Sequence, residues 1–89
     1  MQLHAICQQI VAEKTMKLIR PRKKAHEPGT PYEYDVKDYE GNKRGWTVLD
    51  GFTASMFVQV WAQLNDANRA KLAKLPALQA INICWKAAR

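Results

Sequence analysis

The sequence predicts a small α+β fold: an N-terminal amphipathic helix, a basic linker, a β-hairpin and three C-terminal helices packed on the sheet. Three observations support this class. Apolar residues recur at helical spacing near both ends of the chain, they alternate with polar residues near its middle, and prolines and glycines separate these segments. Because the chain has 89 residues, of which 47% are apolar, we expect one domain with one core over residues 1–89.

The first element is an amphipathic helix that we expect to run to about Ile19. Pro21 should end it, because proline has no amide proton to donate and disfavours a helical residue before it. Residues 20–31 contain three prolines and one glycine among charged residues, which predicts a flexible basic linker inside the domain. The apolar face of the helix consists of Leu3, Ile6, Cys7, Ile10, Val11 and Leu18.

Alternating apolar and polar residues predict a β-hairpin between Tyr32 and Leu49. A two-residue turn at Gly41 and Asn42 would mix polar and apolar side chains on each face of the hairpin. A three-residue loop that starts one residue earlier, at Glu40, gives one coherent apolar face, so we predict that register. The predicted pairs are Val36 with Trp46, Tyr34 with Val48 and Asp38 with Arg44.

The second helix should begin just after the hairpin. Thr53 is its predicted N-cap, because a threonine hydroxyl accepts a hydrogen bond from a free amide at a helix start. Phe52 and Phe57 flank that cap with the spacing of a hydrophobic staple. The stripe that should face the core consists of Met56, Phe57, Val60, Trp61 and Leu64.

Two shorter helices should close the fold. Asn65 or Asp66 is expected to cap a third helix that ends near Lys74, and Pro76 is expected to break the chain and open a fourth. One side of the fourth helix should carry Leu78, Ile81, Cys84 and Trp85. The apolar residues without a clear core position, which are candidate docking anchors or homodimer contacts, are Leu49, Val58 and Ile83.

Charge is distributed unevenly along the chain. The net charge is +6, but residues 27–50 carry a net negative charge and both flanking regions are positive. Clustered lysine and arginine residues create a field that attracts anionic partners, although basic residues at a helix end also suit the helix dipole without any ligand. The candidate partner-binding residues are Lys14, Lys17, Arg20, Arg22, Lys23, Lys24, Lys43, Arg44, Arg69, Lys71 and Lys74.

Other interpretations of the same residues are weaker. Aromatic residues of the hairpin could stack on bases, but the hairpin is acidic and its core face needs Tyr34 and Trp46. The third helix could read DNA as part of a helix-turn-helix, but it is short and must bury one side. Three scattered candidates for metal ligands fall short of the four that a structural zinc site needs, so we expect no metal; they are His4, Cys7 and Cys84.

Neither catalysis nor a membrane is expected. The cysteines lie on apolar helix faces, which raise the pKa of a thiol, and no nucleophile or cofactor motif accompanies them, so we expect no enzyme activity and no cofactor. The first residues lack the pattern of a signal peptide, and the apolar stretches are too short to span a bilayer. These features predict a cytoplasmic protein with reduced thiols.

The second half of the chain, from Val48 to Lys86, resembles small uncharacterised proteins encoded by tailed bacteriophages and prophages. This resemblance implies a role in the cytosol of the host cell, in host takeover or anti-defence, including an anti-CRISPR-like role, and it transfers no catalytic residue. The matching residues are Val48-Leu49-Asp50-Gly51, Thr53-Ala54-Ser55, Val60, Leu64-Asn65, Asn68-Arg69-Ala70-Lys71, Pro76 and Trp85-Lys86.

Two functions follow from these observations. The first is a non-catalytic accessory protein that docks on a host protein or complex through the basic linker, the exposed edge of the hairpin and the third helix. The alternative is a sequence-tolerant nucleic-acid-binding protein that uses the basic run over residues 14–24. The acidic hairpin and the phage resemblance favour docking, whereas the net charge favours nucleic acid.

Overall fold

A computed structural model describes residues 1–22, 27 and 29–88. The predicted α+β class is confirmed, with an N-terminal helix, an antiparallel sheet and three C-terminal helices. In chain order the elements are α1 (Leu3–Glu13), β1 (Lys17–Pro21), β2 (Tyr34–Asp38), β3 (Thr47–Leu49), α2 (Gly51–Gln63), α3 (Asp66–Ala73) and α4 (Ala77–Ala87).

The first helix is shorter than the sequence predicts, and a strand follows it. Lys14 adopts a left-handed conformation with φ of 54° and donates its amide to the Ile10 carbonyl, which ends α1. Leu18 and Ile19, adjacent in the chain, are both almost fully buried. Neighbouring residues of a strand point to opposite faces, so this pair fills both sides of β1. The predicted linker therefore begins too early, since residues 20 and 21 still belong to β1.

The predicted hairpin does not form, because β1 lies between its two strands. The sheet order is β2-β1-β3, with β1 antiparallel to both neighbours. Val36 faces Ile19, and Val48 faces Leu18. The expected pairs of Val36 with Trp46, Tyr34 with Val48 and Asp38 with Arg44 are therefore wrong. A central strand gives each outer strand a partner that is buried on both faces, which a two-stranded hairpin lacks.

The segment from β2 to β3, residues 39–46, has to cross β1, and we call it the crossover. Its path follows from the register: β2 and β3 run parallel to each other, and β2 ends opposite Lys17 whereas β3 starts opposite Ile19. The Trp46 ring lies against Arg20 of β1 and Lys37 of β2. Both share a face with Leu18, so the crossover covers this outer face and accounts for the burial of Leu18.

The helices pack on the opposite, inner face of the sheet. Ile19, Tyr34 and Leu49 belong to one buried cluster with residues of all four helices. Leu49 is thus a core residue and no anchor, whereas Val58 is partly buried and Ile83 is 48% exposed. The largest fully buried side chains, in order of volume, begin with Phe57, Ile6, Ile10, Leu18, Ile19 and Leu49.

The N-cap of α2 is Asp50, three residues before the predicted Thr53. The Asp50 carboxylate accepts a hydrogen bond of 2.7 Å from the Thr53 amide, which satisfies one of the free amides at the helix start. Phe52 makes no staple, because it is 77% exposed and lies against Trp85 with ring centroids 5.5 Å apart. Trp61, which the stripe predicted in the core, is only partly buried.

The boundaries of the last two helices are confirmed. Asn65 caps α3 by accepting a hydrogen bond of 2.8 Å from the Asn68 amide, and Pro76 is the N-cap residue of α4. On α4, Ile81 and Cys84 face the core as predicted, but Leu78 is 63% exposed.

Candidate anion-binding surface on the outer face of the sheet

The predicted basic residues do not form one track, because the fold neutralises some of them. Lys17 is 7% exposed, and its Nζ lies 2.8 Å from Asp38 Oδ1 and 3.2 Å from Glu13 Oε1. The hydrogen bond to Asp38 is the main cause that raises the pKa of Lys17, and Glu13 adds to it against the opposing effect of burial. The charge of Lys17 is satisfied within the molecule, so this residue does not offer a free cation to a partner.

Arg69 also has a structural role. Its Nε donates to the Trp61 carbonyl at 3.0 Å, and its Nη2 donates to the Ala62 carbonyl at 3.3 Å. These carbonyls belong to the last turn of α2, where carbonyl groups lack the usual helical partner; the Trp61 carbonyl also accepts from the Leu64 amide at 3.1 Å. Arg69 therefore fastens α3 to the end of α2 and is not directed outward as a recognition residue.

Two arginines of the outer face share one carboxylate. Arg20 Nε lies 3.3 Å from Asp35 Oδ2, and Arg22 Nε lies 3.8 Å from Asp35 Oδ1. Asp35 pairs with Arg20 in the register between β1 and β2, so the ion pair is a direct cross-strand contact. One negative charge for two guanidinium groups leaves this end of the outer face positive.

The centre of the outer face is an aromatic ring surrounded by cations. The Arg20 guanidinium carbon lies 4.4 Å from the centroid of the Trp46 ring, and the Lys37 Nζ lies 4.1 Å from it. Both distances fall in the range of cation–π attraction. Lys43 comes close to Lys37 from the crossover. We call Arg20, Lys37, Lys43 and Trp46 the cation cluster.

Electrostatics within the cation cluster are repulsive at Lys37. Three effects lower the pKa of Lys37: loss of hydration is the largest, and the close approach of Lys43 and the charge of Arg20 add to it. The charge of Glu40 raises this pKa in part. In the part of the chain that the structure describes, no carboxylate lies within ion-pair distance of Lys37. An anion brought to this surface would therefore meet Lys37 and Lys43, which form no ion pair among the described residues. It would meet them beside Arg20, which shares Asp35 with Arg22.

The remaining predicted residues are dispersed. Lys14 is exposed at the end of α1, Lys43 and Arg44 are exposed on the crossover, and Lys71 and Lys74 are exposed on α3. Lys23 and Lys24 lie outside the described residues. The structure thus brings Arg20, Arg22 and Lys43 to one surface.

The sequence prediction leaves Lys37 out of the partner-binding residues and places Trp46 on the core face of the hairpin. Both assignments follow from the alternation along the predicted hairpin, in which β1 does not pair with β3. The signal that could have revealed β1 is the adjacent pair Leu18 and Ile19, flanked by Lys17 and Arg20. A short apolar run between charged residues is compatible with a strand buried on both faces.

The residues considered for metal binding and nucleophilic chemistry lie in the interior or at its border. His4 stacks on Trp61 with ring centroids 4.3 Å apart, and burial, then Arg69, lowers its pKa. Burial and the nearby Cys84 raise the pKa of Cys7 to about 12, and burial raises that of Cys84 to about 11. Among the described residues, no group of three or more His, Cys, Asp or Glu residues could hold a metal ion.

Comparison of the chain with protein-family models, with curated proteins and with solved structures found no match. The relation to phage-encoded proteins therefore stays a prediction. No helix in the described part of the chain is long and apolar enough to cross a membrane.

Proposed function

We propose that this protein is a non-catalytic, sequence-tolerant nucleic-acid-binding protein that uses the outer face of its sheet. The observation that carries the proposal is the cation cluster, in which Arg20 and Lys37 lie against the Trp46 ring and Lys43 lies close to Lys37. Regularly spaced phosphates are the anions best suited to several cations on one surface. The geometry thus favours the nucleic-acid alternative over protein docking as the role of the basic surface.

The residues that can serve this role differ from those of the predicted basic run. Lys17 is used within the fold, whereas Arg22 joins Arg20 of the cation cluster through their shared partner Asp35. Arg44 of the crossover adds one more exposed cation. Contacts of this kind go to phosphates and carry no direct sequence information, so we expect little preference among sequences.

Base stacking is not part of the proposal. Trp46 has cations against its ring and lies over the buried Leu18, and Tyr34 is in the core with 3% exposure. Tyr39 is more exposed, but its hydroxyl group contacts Asn42 of its own loop. Affinity should therefore come from phosphate contacts, and it should fall steeply as salt increases.

The test is a titration of labelled single- and double-stranded DNA and RNA at low and moderate salt. The variant Lys37→Glu with Lys43→Glu should reduce affinity by about tenfold or more and lower the slope of log affinity against log salt by one to two units. The matched control Lys71→Glu with Lys74→Glu makes the same change in net charge on α3 and should have a much smaller effect. Equal losses in the two variants, or no binding by the wild type at low salt, would contradict the proposal.

Docking on a host protein, the role that the phage resemblance implies, is a second proposed function. A different surface supports it: Ile83 of α4 is 48% exposed beside an apolar groove formed with α2 and α3. Exposed apolar surface of this kind is more typical of protein interfaces than of phosphate contacts. The two functions therefore use different surfaces of the protein and can be tested with variants at different residues.

A further inference from the structure

A groove between α2, α3 and α4 is lined mainly by apolar residues. Leu64, the C-cap of α2, and Leu75, which follows α3, line it together with Ile83, and Cys84 lies in it as a buried residue. It has a volume of about 210 Å³. Since a dry cavity of about 150 Å³ accepts a benzene molecule, this groove has room for one large apolar side chain.

Charge around the groove has one sign. Lys71 lies at its rim, and no acidic residue is among the described residues that line it. Asp66 is the only acidic residue between positions 64 and 88, and it lies 3.8 Å from Arg69 as an ion pair within α3. Lys74 and Lys86 are also exposed on these helices. A partner that enters the groove therefore approaches a positive field.

We infer that the groove binds an acidic segment of a partner protein that inserts one large apolar side chain beside Ile83 and places carboxylates near Lys71. This inference rests on the second proposed function, protein docking, and is independent of nucleic-acid binding by the cation cluster. Nucleic acid fits the groove less well, because phosphates would leave its apolar lining unused. A second copy of this chain is disfavoured by repulsion between two molecules that each carry a net charge of +6.

The recognition mode should be that of a segment lying in a helical groove. Such partners present apolar anchors on one side and charged residues on the other. The apolar anchor should supply most of the affinity, because a few buried residues dominate most interfaces. The carboxylates should mainly set specificity and the association rate.

The first experiment is selection from an unbiased library of displayed peptides of about 16 residues, long enough for roughly four helical turns. The target is the folded wild-type protein, with counter-selection on the variant Ile83→Glu. Enriched peptides that combine Asp or Glu residues with a large apolar residue would support the inference. Enrichment of neutral or basic peptides, or no enrichment above the counter-selected variant, would overturn it.

The second experiment measures the affinity of one enriched peptide, labelled with fluorescein, by fluorescence polarisation. Ile83→Glu and Lys71→Glu should each weaken binding by about tenfold. Leu78→Glu is the matched control, because Leu78 is an exposed apolar residue of the same helix that does not line the groove. An equal loss in this control would move the site away from the groove.

Two further measurements distinguish an acidic protein partner from a second copy of this chain and from nucleic acid. Sedimentation of the wild type that shows a dimer, abolished by Ile83→Glu, would assign the groove to a second copy and overturn the acidic partner. The nucleic-acid titration repeated with Ile83→Glu should be unchanged, so failure of the groove inference and failure of the proposed nucleic-acid binding give different results. Circular dichroism should show that Lys71→Glu and Ile83→Glu are folded, since both positions are exposed.

Discussion

Two lysines of the same sheet differ in what the fold does with their charge. Lys17 lies on the inner face at the start of β1, almost buried, between the carboxylates of Asp38 and Glu13. Lys37 lies on the outer face of β2, against Trp46, with Lys43 and Arg20 nearby. The pKa of Lys17 is raised and that of Lys37 is lowered. The basic residues of one sheet are thus of two kinds, those that stabilise the fold and those left for a partner.

The difference follows from the alternation of side chains along the strands. Residues at odd positions of β1 face the helices, where an unpaired charge is costly, so Lys17 needs nearby carboxylates. Among the described residues, the crossover covers the side chains that share the outer face with Leu18, and their charged groups reach solvent. Binding to an anion should therefore depend on the outer face, whereas stability should depend on the inner one.

The largest effect should come from reversing charge on the inner face. Lys17→Glu would place three carboxylates together, with Asp38 and Glu13, and should lower the free energy of unfolding by about 2 to 3 kcal/mol. The same reversal on the outer face, Lys37→Glu, should change the free energy of unfolding far less, since it removes repulsion at an accessible site. Urea unfolding monitored by circular dichroism measures both. Similar losses in the two variants would remove the distinction between the faces.

A smaller effect should come from opening the cover of the outer face. Trp46→Ala should expose Leu18, which is fully buried, and should cost about 1 to 2 kcal/mol, with a smaller loss for Trp46→Phe. The control is Tyr39→Ala on the same crossover, where the side chain is 39% exposed and the cost should be below about 0.5 kcal/mol. If Trp46→Ala leaves the thermal unfolding midpoint unchanged, the ring does not stabilise the fold, and its role is limited to the contacts with the cations.

The smallest effect should appear in the alkaline dependence of stability. The raised pKa of Lys17 means that its charged form stabilises the fold below the unfolded pKa, about 10.4, and that this contribution is lost as pH rises through the folded pKa. The lowered pKa of Lys37 has the opposite sign: its charged form opposes folding at lower pH, and the penalty disappears as pH rises through the unfolded pKa.

The corresponding measurement is urea unfolding of the wild type, Lys17→Met and Lys37→Met between roughly pH 8.5 and 11. Relative to the wild type, stability should fall less steeply with pH in Lys17→Met and more steeply in Lys37→Met. Ionisation of Tyr34 and the two cysteines, whose pKa values are raised, contributes to all three proteins and cancels in the differences. Slopes that change in the same direction would show that the two lysines do not differ as described.

Predictions from sequence succeeded where a local signal was sufficient. The Asn65 cap and Pro76 set the boundaries of α3 and α4, because a capping side chain and a proline act within one helical turn. They failed at Leu18 and Ile19, because a two-residue apolar run fits both the helical spacing that continues α1 and a strand that is buried on both faces. The αL conformation of Lys14 ends α1 and so decides between the helix and the strand. Because position 14 is not a glycine, the sequence does not indicate this conformation.

The candidate site was predicted in part. Arg20, Arg22 and Lys43 were recognised as basic residues that could bind an anion, and the structure places them on one surface. Lys37 was not among the predicted partner-binding residues and Trp46 was placed in the core, because the role of both depends on which strand lies between β2 and β3. The groove beside Ile83 was anticipated only as one apolar residue without a core position, since its walls come from three separate helices.

By itself, the sequence determined the fold class, the helix boundaries near the C-terminus, the positive net charge and the residues available to carry that charge. Only the tertiary structure decided the order of the strands, the face on which each cation lies and the partner that neutralises Lys17. The physical reason is the distance along the sequence over which each interaction acts. Caps, prolines and periodicity act over a few residues, whereas strand pairing and ion pairs can join residues that are far apart in the sequence, such as Lys17 and Asp38, which are 21 positions apart.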